Sequence, residues 1–141
     1  MIENAYIAYP LAILAGFLGM MMVVGTIQAI GHKVSPPPEN LDFQDPEALR
    51  KYVTQASAMQ LAWVPLAYLA GPFAGTLLAS WIVQDHYDLL AVLFGLPMLV
   101  MAIQMVKRYP GPAWFNFLAI VAIPTGVTAA VLLATRIFAT G

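Results

Sequence analysis

Polar side chains near the ends of long apolar runs are the residues of this chain that chemistry could use. Four of them are amides and one is a histidine: Gln28, His32, Gln60, Gln104 and Asn116. If these side chains converge, they form a polar vestibule able to hold water, a lipid headgroup or a quinone oxygen. If they diverge, they are headgroup-level residues that bond to lipid and water. The sequence leaves both alternatives open.

The sequence lacks the combinations of residues that enzymes usually use for catalysis. The absence of cysteine removes disulfides, thiolate metal sites and thiol redox chemistry. No serine has a histidine–acid combination near it, and the acidic residues around His86 indicate a turn in which Asp88 caps the following helix. The chain has no phosphate-binding glycine loop and no basic patch typical of nucleic-acid binding. We therefore expect no enzyme activity and no nucleic-acid partner.

The two histidines of the chain limit its cofactors. His32 lies at the inner end of the first apolar run, and His86 lies in the loop on the outer side of the membrane. Because about one bilayer separates them, they cannot be the two axial ligands of one haem within a chain. A cluster of methionines at helical spacing is better suited to flexible packing than to copper binding, because no cysteine or second histidine accompanies it. We predict no cofactor and no metal. A bound lipid is compatible with the chain, whereas a pigment or haem would need a ligand from another subunit.

Four long apolar runs must position all of these residues. They cover about 6–30, 60–83, 89–106 and 113–138. Each run is long enough for a helix to cross about 30 Å of hydrocarbon. None contains an acidic residue, and their only charge is Arg136 near the end of the last run. The sequence predicts an all-α polytopic membrane protein with one four-helix transmembrane domain over residues 1–141. A pump or proton-coupled transporter would need a charge in the middle of the membrane.

The basic residues predict the orientation. Five of the six lie in the first and third loops: Lys33, Arg50, Lys51, Lys107 and Arg108. Because positive loops stay in the cytoplasm, we place these two loops inside and both termini outside a bacterial inner membrane.

The first loop, residues 31–59, carries its own helix signal. Its prolines at 36–38 favour an extended chain. Asp45, Pro46 and Glu47 then have the order of an N-cap, a first helical residue and a first-turn acid. We expect a short amphipathic helix on the cytoplasmic surface, acting as an interfacial anchor or as a docking element for a partner.

Small residues recur at every fourth position in the second and fourth runs. These two stripes are Ala67, Gly71, Gly75, Ala79 and Ala122, Gly126, Ala130, Ala134. Such stripes allow close backbone approach, which drives helix association where lipid removes the hydrophobic effect. We expect helix-packing contacts there, by default within one chain, although contacts between chains remain open.

Three stretches of the chain carry a family resemblance. The basic and proline-rich segment at 32–45, the glycine-flanked segment at 71–75 and the proline-rich turn at 109–115 resemble a set of small bacterial four-helix inner-membrane proteins. No activity is established for that set, so the resemblance implies the architecture and adds no mechanism. The microsomal glutathione-transferase-like proteins have a similar layout. Their polar and charged second span is absent at residues 60–63, which argues against that enzyme class.

The function that the sequence favours is a non-catalytic accessory or scaffold subunit of a larger membrane assembly or homo-oligomer. Its partners would be membrane lipids and either other membrane subunits or a second copy of the chain. The alternative is a small carrier or channel for a lipid or small neutral molecule, using the amide cluster. The partner, the ligand and the number of subunits are not readable from the sequence.

Overall fold

Long helices account for most of the chain in the computed structural model, which describes residues 5–36, 44–108 and 111–138. Over these residues five α-helices follow in order: α1 Ala5–Val34, α2 Pro46–Gln55, α3 Ala58–Val83, α4 Tyr87–Arg108 and α5 Ala113–Phe138. The four long helices are each long and apolar enough to cross a membrane. The prediction of an all-α chain with four such helices is confirmed.

Two helix boundaries differ from those expected. α1 continues to Val34, four residues beyond the predicted end, and includes Gly31 and His32. α4 begins at Tyr87, so Asp88 lies inside its first turn and is not the N-cap. The cap position belongs to His86, whose carbonyl accepts a hydrogen bond from the Leu90 N–H at 3.1 Å. Within the first turn the negative charge of the Asp88 carboxylate still interacts favourably with the positive end of the helix dipole.

Local hydrogen bonds cap the starts of α2 and α3, and only two residues separate the end of α2 from the start of α3. Asp45 caps α2, its side chain accepting from the Glu47 N–H at 3.1 Å. Ser57 and Gln60 form a reciprocal capping box at the start of α3, with distances of 3.2 and 2.9 Å. These bonds satisfy N–H groups that a helix start leaves unpaired. The connection is therefore short and well defined, and it keeps α2 beside the first turn of α3.

α3 is the central helix of the bundle. Its most extensive contacts are with α1 and α5, while α4 packs on α5 and α3 and touches α1 only slightly. The main apolar core includes Leu90, Phe94 and Ile123, each at most 2% exposed. Phe94 also meets Phe17 of α1 edge to face, with 4.9 Å between ring centroids. α1 thus lies at one side of the bundle, with α3 as its principal neighbour.

The bundle has two ends, named here by the elements that lie there. The α2 end contains α2, the last turns of α1 and α4 and the first turns of α3 and α5. The α3–α4 end contains residues 84–86, the first turns of α1 and the last turns of α5. At the α2 end the Gln60 side chain donates to the Pro36 carbonyl at 3.1 Å, which ties the segment after α1 to α3.

Candidate functional site

A pocket of about 290 Å³ lies at the α2 end of the bundle and is the candidate site. All five helices contribute to its wall, most of which is aliphatic or aromatic. The aromatic residues are Tyr52, Trp63, Tyr68 and Phe115, and the polar ones at the wall include Gln28, His32, Ser35 and Gln60. A mainly apolar pocket with a few polar groups is typical of small-molecule sites.

Unequal side-chain sizes create this pocket. α3 presents Trp63 and Tyr68 at the wall, whereas α4 and α5 each contribute one small residue, Ala102 and Ala119, beside larger side chains. The Trp63 ring fits against α1 only because residue 31 is glycine. A Cβ atom there would lie 2.5 Å from the Trp63 Cγ atom. Small residues among large ones therefore leave a space between the helices.

α2 lies across this space. Val53 is buried and packs with Leu61 and Phe115 in a small apolar cluster. The Arg50 Nε–H donates to the carbonyl of Arg108 at 2.8 Å, which satisfies an acceptor at the end of α4. α2 thus contacts α3, α4 and α5, and forms a lid over the pocket.

The five polar residues singled out from the sequence do not all reach the pocket. Gln28, His32 and Gln60 lie at its wall. Gln104 is exposed on α4. The Asn116 side chain exchanges two hydrogen bonds of 3.1 Å with the backbone of Gly111 and so closes the turn before α5.

Gln60 has a structural role as well. Its amide oxygen accepts from the Ser57 N–H and its amide nitrogen donates to the Pro36 carbonyl. Both ends of this side chain are therefore occupied by the backbone.

Sequence reasoning did not single out the aromatic wall. The Trp63 Nε1 atom is buried without a hydrogen-bond partner among the described residues. The Tyr68 hydroxyl donates to the Met105 sulfur at 3.1 Å, a weak acceptor. Burial raises the pKa of Tyr52 on the lid above its ordinary value of 10.0. The signal available in the sequence was the pair of aromatics five residues apart in the same span that begins with Gln60.

The predicted stripe on α3 lies at its contact with α1. Gly16 and Gly75 cross there, since a Cβ atom on either would lie 2.9 Å from the carbonyl oxygen of the other. A Cβ atom on Gly71 would lie 2.5 Å from a Val24 methyl group, and Ala79 is fully buried. The partner stripe on α1 has the same four-residue spacing, which the sequence analysis did not use: Ala8, Ala12 and Gly16.

The predicted stripe on α5 lies at its contact with α3. A Cβ atom on Gly126 would lie 2.3 Å from the Leu69 carbonyl oxygen, so the two backbones nearly touch. Ala130 and Ala134 are fully buried, and Ala122 is partly buried. Both stripes therefore lie on helix contacts within one chain, as small residues permit in lipid.

Polar contacts at the α3–α4 end hold helices together. The Tyr9 hydroxyl of α1 bonds to the Nδ1 atom of His86, which also lies 3.1 Å from an Asp85 carboxylate oxygen. The other Asp85 oxygen accepts from the His86 N–H at 2.8 Å. Gln84 and His86 have left-handed backbones with φ of 58° and 52°. Over the described residues no group of three or more His, Cys, Asp or Glu is arranged to hold a metal ion.

Comparisons of the chain with protein-family models, with curated proteins and with solved structures find no match. The functional argument therefore starts from the pocket and the helix contacts.

Proposed function

We propose that the protein is a non-catalytic multi-pass protein of a bacterial inner membrane that binds a small, mostly apolar molecule at the α2 end. The observation that carries this proposal is the pocket of about 290 Å³, to which all five helices contribute. Its wall combines aromatic rings with Gln28 and His32, a pattern that selects an apolar body with one polar group. A carrier or a binding protein for a lipid or small neutral molecule fits this wall.

The distribution of charge supports a cytoplasmic location for the α2 end. Five of the six basic residues flank this end and the sixth, Arg136, lies near the end of α5. In this topology both termini are outside and α2 lies at the inner membrane surface. Its exposed residues include Arg50 and Lys51, while Val53 is buried. The pocket would then open at the level of the inner lipid headgroups.

The size of the pocket limits the ligand. About 290 Å³ is at the lower end of the range for small-molecule sites, so the pocket fits a small molecule or part of one lipid chain.

Native mass spectrometry of the protein, gently extracted from its own membranes, tests the proposal. We expect a defined adduct on the wild type that is lost in Val106→Trp, because the indole would fill the pocket that Val106 lines. Val100→Trp is the matched control on α4, since Val100 is 47% exposed on an outer face. A wild type without an adduct, or an adduct kept equally by both variants, would contradict pocket binding.

A second candidate function is an accessory or scaffold subunit, which the position of α1 favours. This helix packs mainly on α3, and its opposite face leaves large apolar side chains exposed, such as Leu14 at 59% and Leu18 at 58%. Such a face suits another membrane chain or a second copy as well as lipid.

The same native spectra separate the two functions. An accessory subunit should retain a foreign chain or a second copy, which Leu14→Trp with Leu18→Trp should release. Leu132→Trp on α5, where Leu132 is 62% exposed, should retain it. A monomer that carries only a small adduct would exclude the accessory role.

A further inference from the structure

Five basic residues lie at the same end of the bundle as the pocket, although none of them lines it. Each of the five lies within two positions in the chain of a residue that lines the pocket: Lys33, Arg50, Lys51, Lys107 and Arg108. All five are exposed. The described acidic residues at this end are Asp45, which caps α2, and the exposed Glu47. Among the described residues, basic side chains thus outnumber acidic ones at the end of the bundle where the mouth of the apolar pocket lies.

These charges have no anionic partner within the described part of the chain. The ion pair found there joins His86 and Asp85 at the opposite end. Arg50 uses its Nε atom to hold the Arg108 carbonyl at 2.8 Å, which leaves its terminal guanidinium nitrogens for another acceptor. The same bond brings Arg50 to the residue that ends α4, itself an arginine.

Membrane topology accounts for positive loops but does not account for their position around a pocket. A neutral small molecule would occupy the pocket without an ionic contact to the basic residues. A soluble anion such as phosphate would bind the basic residues without occupying the pocket. A molecule with one apolar chain and one anionic group uses both, and the inner leaflet of a bacterial membrane presents such molecules as anionic lipids.

We infer that the site binds an anionic phospholipid, with part of one acyl chain in the pocket and the phosphate at the basic mouth. This inference rests on the proposed pocket-binding function and names its ligand class. The chain segment lies against Trp63 and Phe115, and the phosphate lies outside the pocket, at exposed basic residues of the α2 end such as Arg50 and Lys107.

Tryptophan fluorescence in vesicles provides the test. The chain has three tryptophans, so Trp81→Phe with Trp114→Phe leaves Trp63 as the only emitter. The protein is reconstituted into phosphatidylcholine vesicles that contain increasing fractions of chain-brominated phosphatidylglycerol or chain-brominated phosphatidylcholine. Bromine quenches an indole that it contacts. We expect saturable quenching of Trp63, half complete at a mole fraction about tenfold lower for the anionic lipid.

Charge variants test the mouth. Lys33→Gln, Lys51→Gln and Lys107→Gln together should raise the mole fraction of brominated phosphatidylglycerol for half-quenching about five- to tenfold. Arg136→Gln, which removes a basic residue near the end of α5, should leave it unchanged. Lys107→Gln alone, with a shift of about twofold, replaces the triple variant if the latter does not fold. A protein with only Trp81, exposed near the end of α3, should show equal quenching by the two lipids.

The outcomes separate the two proposals. Equal quenching of Trp63 by the two lipids, or no response to the charge variants, would overturn the anionic-lipid inference. If the adduct in native spectra persists under that result, binding in the pocket stands. Saturable, charge-dependent quenching by phosphatidylglycerol supports both. Loss of both the adduct and the quenching would overturn pocket binding itself.

Discussion

The two ends of the bundle use α3 in opposite ways. Towards the α3–α4 end, Gly75 meets Gly16 of α1 and Ala79 is fully buried, so the helices nearly touch. Towards the α2 end, Trp63 and Tyr68 stand between the helices and a pocket remains. Both halves of α3 are strongly apolar. Side-chain size along the helix, and not hydrophobicity, therefore determines where the interior closes and where it opens.

The half of α3 towards the α3–α4 end is called the closed half here, and the half beside the pocket is called the open half. We expect added side-chain atoms to destabilise the closed half more than the open half. The largest expected effect is at Gly126, where a Cβ atom would lie 2.3 Å from the Leu69 carbonyl oxygen. Because a backbone oxygen cannot rotate away, Gly126→Ala must push α5 from α3. We expect it to lower the free energy of unfolding by about 3 kcal/mol, measured by denaturation in mixed micelles.

Gly25→Ala is the matched control for that measurement. No atom lies within 4 Å of a Cβ built on Gly25, so alanine should leave stability unchanged or raise it slightly. Equal effects of the two variants would mean that the close approach at Gly126 does not limit stability, because helix propensity alone favours alanine over glycine at both positions.

The same substitution at two alanines compares the two halves directly. Ala79 is fully buried near the α3–α4 end, and Ala102 is fully buried at the pocket wall. Ala79→Leu should cost about 2 kcal/mol, whereas Ala102→Leu should cost under about 1 kcal/mol because its new atoms enter the pocket. Thermal unfolding in one detergent measures both. Equal costs would show that the pocket has no space to spare for a larger side chain.

The closed half contains a buried hydroxyl group that should lower its stability. Thr76 is fully buried, and its hydroxyl has no hydrogen-bond partner among the described residues. Thr76→Val removes this polar group at nearly constant shape and should raise stability by about 1 kcal/mol. The control is Thr125→Val, since Thr125 is exposed and donates to the Val121 carbonyl at 2.8 Å. A loss of stability in Thr76→Val would reveal a partner for this hydroxyl in the membrane.

The smallest effect concerns the lid over the open half. Burial raises the pKa of Tyr52 above 10.0, so the packed lid favours the neutral phenol. The sign follows from linkage, because docking of α2 is strongest below the ordinary pKa and weakens as pH rises through the raised one. The rise in tyrosinate absorbance above pH 10.0 should be smaller by one tyrosine in Tyr52→Phe than in the wild type. Cleavage of α2 by an alkaline protease should increase over the same range. A step at or below the ordinary pKa would mean that Tyr52 is solvated.

Local features of the fold were readable from residue types. The four long helices follow from apolar runs free of acidic residues, and the α2 start follows from Asp45 and Pro46. Two boundaries were wrong by a few residues. The first apolar run was expected to end near residue 30, yet α1 continues to Val34. Asp88 was taken as a cap, yet the cap belongs to His86, which adopts a left-handed backbone.

The candidate site was readable only in part. Position along the chain placed Gln28, His32 and Gln60 near one end of the bundle, and they lie at the pocket wall. The same argument included Gln104 and Asn116, which lie elsewhere. An amide near a helix end has backbone groups within reach, and sequence does not show which partner it takes.

The sequence by itself determined that four apolar helices form, where each begins and ends within a few residues, and which small residues permit close approach. The tertiary structure decided which faces meet, that α3 is central and that a pocket opens beside Trp63. The physical reason is that helices apolar on nearly every side carry no periodic signal for their inward face. Rotation of each helix is then set by packing of side chains on neighbouring helices, which exists only once the helices have met.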